Sequence, residues 1–500
     1  MKRAVSLFLM IALLVAAVPV TAARAAEEEA LPLAASGMVL AGDSLYVADS
    51  YHRSVWVVKD GRAELLAGQA SVTDLSGQPV EGYRDGAFTQ AAFSEPWAIV
   101  PYRDGLLVSD SGNHVLRYLD LTTNRVYTAA GTGAAGYRDG AALSAAFDAP
   151  AGLAVGDDGT VYIADTGNNV IRAMDEDGTV TTYAGGEEGC ALGTVSEARF
   201  SQPTGLCWAD GVLYVADSGN HRVVAIQGGQ VTLVAGAELT GDAAYEGGYL
   251  NGPAELARFS SPQGVAVGAD GTVYIADTGN GAVRAVKNGY VTTIAAMDGG
   301  STYPVSPRGL LLAGGTLYVG DVFARALFSC AAQVADMAFT DVAAEAWYYD
   351  AARFAWANGL FQGTGEGTFS PDAVTTRGMV VTILARLEGV DTAQSEPWYE
   401  VGRQWAMEQG ISDGTNMDAS LTREQLATML WRYAGSPAVS ADMSGYTDTG
   451  TVSSYAQQAM AWCVEQGIIG GTTATTLSPQ AEATRAQVAT ILMRFIEGMA

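Results

Sequence analysis

The sequence predicts a multidomain chain in which an all-β repeat precedes an all-α repeat. Three observations carry this. A strand-and-turn pattern recurs six times between residues 45 and 321. A helical pattern with a single apolar face recurs three times after residue 337. Gly is abundant, at 60 residues, which suits tight turns and is too many for a helical bundle.

The β repeat is read from Leu45-Tyr-Val-Ala-Asp49, Leu107-Val-Ser-Asp110, Val161-Tyr-Ile-Ala-Asp165, Leu213-Tyr-Val-Ala-Asp217, Val273-Tyr-Ile-Ala-Asp277 and Leu317-Tyr-Val-Gly-Asp321. The successive aspartates are 61, 55, 52, 60 and 44 residues apart. Each copy is a strand rich in β-branched and aromatic residues. A turn follows: Ser-Gly-Asn-His after Asp110 and Asp217, Thr-Gly-Asn-Asn after Asp165 and Thr-Gly-Asn-Gly after Asp277. Gly supplies positive φ there, while Asp and Asn bond nearby backbone. A third strand (Val115-Leu-Arg117, Val170-Ile-Arg172) and a fourth (Val180-Thr-Thr-Tyr-Ala184, Val231-Thr-Leu-Val-Ala235) complete the unit. Upstream lies Gly82-Tyr-Arg-Asp-Gly86 with Phe93 and Pro96, repeated as Gly136–Gly140 with Phe147 and Pro150, and as Gly248–Gly252 with Phe259 and Pro262. A short apolar strand such as Gly152-Leu-Ala-Val155 then opens the unit.

Four short strands at this period read as the blades of a six-bladed β-propeller. The recurring residues, including Asn113-His114-Val115, resemble the NHL repeat family over roughly residues 32–330. Units 1 and 6 depart from the pattern, with Ser50-Tyr-His-Arg53 and Val322-Phe-Ala-Arg325 at the turn. Terminal repeats are often atypical, and one blade is expected to be completed from both chain ends. The loops around 69–82, 186–197 and 237–248 vary most and are the natural binding variables.

After residue 336 the period changes to 3.6. Val380, Ile383, Leu384 and Leu387, then Leu426, Met429, Leu430 and Tyr433, then Val488, Ile491, Leu492 and Phe495 each form one apolar helix face. Thr376-Arg377, Thr422-Arg423 and Thr484-Arg485 precede these helices at one offset. The Thr suits an N-cap, and Gln425 and Gln487 predict capping boxes. Helices carrying Trp356, Trp405 and Trp462 end at Gly359, Gly410 and Gly467.

With Phe339-Thr-Asp-Val342, Trp347, Gly363, Phe369, Pro371 and Tyr446-Thr-Asp448, this stretch resembles the S-layer homology (SLH) family, in units 337–390, 396–436 and 444–500. Gly378 and Met379 depart from the family's T-R-A-E, Gln487 takes the place of its Glu, and the second unit lacks a clear F-x-D. The resemblance implies an all-α pseudo-trimer whose grooves bind secondary cell-wall polysaccharide, often pyruvylated, on a Gram-positive-type cell. The residues expected to make that contact are Asp341, Trp347, Arg377, Arg423, Asp448 and Arg485. From Met337 onward there is no Lys and there are only eight Arg. A guanidinium fork at a helix N-terminus suits a carboxylate. The alternative role for these arginines is to tie the units together.

Lys2 and Arg3, the apolar run Ser6–Val20 and Ala23-Arg24-Ala25 read as a secretory signal peptide over residues 1–25, ahead of a retained anchor as the alternative. A net charge of −27 argues against nucleic acid and anionic lipid as partners. Cys190, Cys207, Cys330 and Cys463 form no CxxC pair, and a Cys190–Cys207 bridge stays open beside free thiols. His52, His114 and His221 all occupy the turn slot, so they read as repeat positions rather than a metal centre. Turn bonding accounts for Asp49, Asp110, Asp165, Asp217 and Asp277, and calcium is the one cofactor such a carboxylate ring leaves open. Arg84-Asp85 and Arg138-Asp139 are expected to pair between blades. No catalytic motif is found. The reading is a wall-anchored extracellular protein whose propeller binds an unidentified protein or carbohydrate ligand, with a lyase- or lactonase-like enzyme as the alternative.

Overall fold

A computed structural model describes residues 31–69, 73, 79–237, 247–296, 306–334, 336–361, 363–365, 367–388, 390–392, 396–440 and 443–499. The expected signal peptide lies outside them. The chain divides into two compact units, one ending at Val334 and one running from residue 335 onward.

The first unit contains six antiparallel sheets, the blades of a propeller. Blade 1 has four strands, Ala35–Ala41, Ser44–Asp49, Ser54–Lys59 and Arg62–Gly68. Blades 2 to 5 add a two-residue outer strand that precedes the blade in sequence. In blade 3, Gly140–Ala141 pairs with the fourth strand, Thr179–Gly185, and the inner strand is Pro150–Val155. Blade 6 has three strands, Pro307–Ala313, Thr316–Asp321 and Ala326–Ala331, and Leu31 forms an antiparallel bridge to Leu327. The two ends of the propeller unit therefore meet in blade 6, through a single bridge rather than the expected strand.

The cores of the first unit lie between blades. One holds Ile171 and Ala184 of blade 3 against Leu213, Val215 and Val224 of blade 4. Phe93, Phe147, Phe200 and Phe259 are fully buried in four such clusters. Inner strands pack backbone to backbone, which is why Gly follows the x of the Pro-x-Gly pattern. A Cβ on Gly152 would stand 2.0 Å from the Thr204 carbonyl of the next blade.

Two polar bonds repeat at the blade boundaries. In blades 2 to 5 the hydroxyl after the Asp donates to the carbonyl of the Pro opening the next blade: Ser111 to Pro150 at 2.5 Å, Thr166 to Pro203 at 2.7 Å, Ser218 to Pro262 at 2.5 Å and Thr278 to Pro307 at 2.7 Å. The fourth turn residue sits in the left-handed region, His114 at φ 55°, Asn169 at 57° and His221 at 54°. Its side chain accepts the N–H of the residue preceding that Pro: His114 Nδ1 from Ala149 and His221 Nδ1 from Ser261, each at 3.0 Å, and Asn169 Oδ1 from Gln202 at 2.8 Å.

In the second unit the helices are α1 (Tyr349–Ala357), α2 (Arg377–Leu387), α3 (Glu400–Glu408), α4 (Arg423–Tyr433), α5 (Gln457–Glu465) and α6 (Arg485–Met499). Helix α2 packs on α3, α4 on α5 and α6 on α1. The segments before the long helices close a ring: Thr375 N–H donates to Ala483 O, Ala483 N–H to Leu421 O and Leu421 N–H to Thr375 O, at 3.0, 2.8 and 2.8 Å. Thr422 and Gln425 form the expected capping box. The third helix keeps only half of one: Gln487 N–H donates to Thr484 Oγ1 at 3.3 Å, while the Gln487 carboxamide oxygen is buried without a partner.

Candidate functional site

The six residues singled out in the sequence fall into three groups in the second unit. The carboxylates organise loops. Asp341 accepts the N–H of Phe369 and of Ser370, both at 2.7 Å, and Asp448 accepts those of Leu477 at 2.9 Å and Ser478 at 2.7 Å. The Leu477 N–H leads in holding Asp448 below the ordinary carboxylate value. Partial burial pushes Asp341 up, but its two backbone N–H bonds and Arg485 outweigh it, and its pKa is also lowered.

The arginines join neighbouring repeats. Arg377 donates to Thr415 O at 3.0 Å and Asp413 Oδ1 at 2.6 Å. Arg423 donates to Leu477 O at 2.9 Å and Gly470 O at 2.7 Å. Arg485 donates to Phe369 O at 2.6 Å and lies over the Phe361 and Phe369 rings. Each guanidinium thus binds the loop of the next repeat, the third closing on the first. The charge follows the same cycle, since Arg423 and Asp448, and Arg485 and Asp341, influence each other. Burial lowers the Arg485 pKa to about 10. Arg423 and Arg485 are buried, so tying the repeats together is the role their geometry displays.

Trp347 is the third kind. It stands 68% exposed, two residues before α1. Trp398 and Tyr455 hold the same offset before α3 and α5 and are also exposed. The sequence reading missed these two, although the shared offset was there to find them. Beside α3 a shallow cavity of about 450 Å³ is lined by Tyr399, Glu400, Arg403, Asn416 and Asp418. Bonds from Arg403 and Gln404 hold Glu400 down to about 2.

In the propeller, the repeated aspartates do not form an open ring. Asp110, Asp165, Asp217 and Asp277 are fully buried and pair with Arg117, Arg172, Arg222 and Arg284 at 2.9, 2.7, 2.8 and 2.7 Å. Burial pushes their carboxyls upward against the pull of the Arg and Asn partners. The expectation that Asp85 and Asp139 pair between blades is corrected. They bind Arg117 at 2.9 Å and Arg172 at 2.6 Å within their own sheets, while Arg84 and Arg138 donate to the carbonyls of Gln90 and Ser144. Among the described residues no three His, Cys, Asp or Glu gather as a metal site, and the four cysteines are free thiols. Among those residues no helix is long and apolar enough to cross a membrane.

Comparison with known proteins follows this division. The S-layer homology domain model matches residues 338–378 and 445–489, and the NHL repeat model matches 147–173, 200–226 and 259–285. NHL repeat-containing protein 2 of Bos taurus is 30% identical over 322 residues, 55% of this chain and 43% of that protein. The Surface-layer 125 kDa protein of Lysinibacillus sphaericus is 31% identical over 115 residues, 19% of this chain and 10% of that protein. The chain spans less than half the length of the curated relatives it matches. A streptogramin B lyase structure aligns at 12% identity and a TM-score of 0.38, over 60% of this chain and 95% of its own.

Proposed function

We propose that this is an exported cell-surface protein, held non-covalently to secondary cell-wall polysaccharide by three SLH modules, with its NHL-type propeller serving as a binding head. The observation that carries the anchor is the threefold recurrence in the second unit. The matched SLH stretches are its first and third repeats. The residues between them repeat the Thr-Arg start, the helix pairing and the exposed aromatic, and supply one side of the hydrogen-bonded ring. They form a divergent middle module on this reading. The similarity to a surface-layer protein supports the same location.

Within the anchor, Trp347, Trp398 and Tyr455 offer flat faces to sugar rings. Asp341 and Asp448 fix the loops beside them, and Arg377, Arg423 and Arg485 hold the modules at the spacing a polymer would bridge. Arg377 is the least buried of the three arginines and the best placed to add a direct ionic contact.

Sedimentation with purified cell-wall sacculi tests this. The mature chain is compared with residues 26–335 alone, before and after polysaccharide extraction. Sedimentation of the full chain only, abolished by extraction, supports the anchor. Equal sedimentation of residues 26–335 would place the wall contact in the propeller instead.

A further inference from the structure

The inner strands of the six blades surround a central cavity of about 500 Å³. At the start of each inner strand, or in blade 5 just before it, the residue after the opening Pro or Ala holds the equivalent position: Ser36, Trp97, Ala151, Thr204, Gln263 and Arg308. Three of these are small and buried within blade contacts. The three long ones converge. The Arg308 guanidinium lies 4.0 Å from the centre of the Trp97 ring, and its Nε donates to Gln263 Oε1 at 2.8 Å. Blades 2, 5 and 6 therefore meet in one cluster at the channel mouth, assembled where the repeat departs from small residues.

Arg308 is the sole charged side chain lining the cavity among the described residues. Its Nη1 stands 3.9 Å from Glu95 Oε1, beyond hydrogen-bond distance, and the Glu95 side chain is 46% exposed. The other nearby carboxylate, Asp321, is buried and accepts the N–H of Ser306 and of Ala324. Past the cluster the walls are backbone and apolar side chains such as Val39, Val100, Leu153 and Leu311. A guanidinium that turns one edge to Gln263 keeps its outer fork for a planar oxyanion.

We propose that the channel mouth binds a small monocarboxylate, its carboxylate on the Arg308 Nη groups in place of Glu95 and its apolar body in the channel. This rests on the propeller being a binding head and names the ligand class. Burial lowers the pKa of Arg308, while Glu95 and Asp321 act to raise it.

The test is calorimetric titration of the mature full-length chain with sodium hexanoate, with hexanol, hexylamine and inorganic phosphate as controls. Hexanoate is expected to bind and the three controls to bind at least about tenfold more weakly. Arg308→Gln should weaken hexanoate by about tenfold or more, and Glu95→Gln should tighten it by about twofold or more. No heat with hexanoate, phosphate binding as well as hexanoate, or Glu95→Gln weakening the binding would each overturn the site. The Glu95 variant decides the matter if Arg308→Gln fails to fold. Sacculus sedimentation by Arg308→Gln is expected to be unchanged, so loss of the carboxylate site and loss of the anchor are read separately.

Discussion

Arg172 is held on four sides. Asp165 and Asp139 take its Nη groups, and the rings of Tyr137 and Phe147 lie 5.0 and 5.3 Å from its guanidinium carbon. Arg117 and Arg284 repeat the arrangement between Tyr83 and Phe93 and between Tyr249 and Phe259. Blade 4 abandons it as a set: Val224 stands at the Arg position, Cys190 and Leu192 stand at those of Tyr137 and Asp139, and Arg222 reaches Asp217 from two residues earlier. The substitutions go together because a buried carboxylate needs a partner, while a surface one does not. Arg172→Met should cost about 3–5 kcal/mol by leaving Asp165 unpaired. Adding Val170→Arg and Asp139→Leu, the blade 4 solution, should recover much of that loss in thermal melts. In the second unit, Asp448 has a lowered folded pKa, so its stabilisation is present above the ordinary value of 3.8 and is lost as pH falls through the lower folded value. Asp448→Asn should lower the melting temperature at neutral pH and flatten its acid dependence below about pH 4.

At the scale of elements, strands and helices were legible because their periods are clean. The six Leu/Val-Tyr-type strands and the three i, i+3, i+4, i+7 faces appear where the pattern puts them. What the sequence could not display was direction across blades. Asp85 and Asp139 are local in sequence to a loop, and only the outer strand beginning at Gly86 or Gly140 turns them toward the Arg of their own sheet. The same limit hid the purpose of the turn. Ser or Thr after the Asp reads as turn chemistry, yet its hydroxyl leaves the blade to hold the next one. Ser218→Ala should therefore cost about 1–2 kcal/mol, since the buried Pro262 carbonyl loses its donor, and Ser218→Thr should restore it. Chemical denaturation distinguishes the two. In the second unit, the Arg and Asp positions were visible by motif, but the attachment of each Arg to the following repeat required the helix-pairing cycle α2–α3, α4–α5 and α6–α1.

For the whole molecule, a net charge of −27 sets the terms of the proposed adhesion to wall polysaccharide. Long-range attraction to an anionic polymer is unavailable to such a chain. On that proposal, short-range stacking on exposed rings is left as the main attachment. Trp347→Ala and Trp398→Ala should each weaken sacculus retention roughly fivefold, from about 1 kcal/mol per ring, with unchanged melting because the rings are exposed, whereas Tyr455→Ala should also lower the melting temperature because its hydroxyl donates to the buried Glu424 carboxylate at 2.9 Å. The propeller's closure carries a mechanical consequence for a protein that lives on a surface. Blades 2 to 5 each grip their successor with a hydroxyl, but Val322 occupies that place in blade 6, and Leu31 supplies one bridge to Leu327. The chain also leaves the ring through this blade, along Ala326–Ala331. Tension applied along the chain would therefore load first a joint that lacks the turn hydroxyl's grip. Rupture there would split the ring open like a cut washer, setting one threshold force for the whole head rather than a sequence of yielding blades.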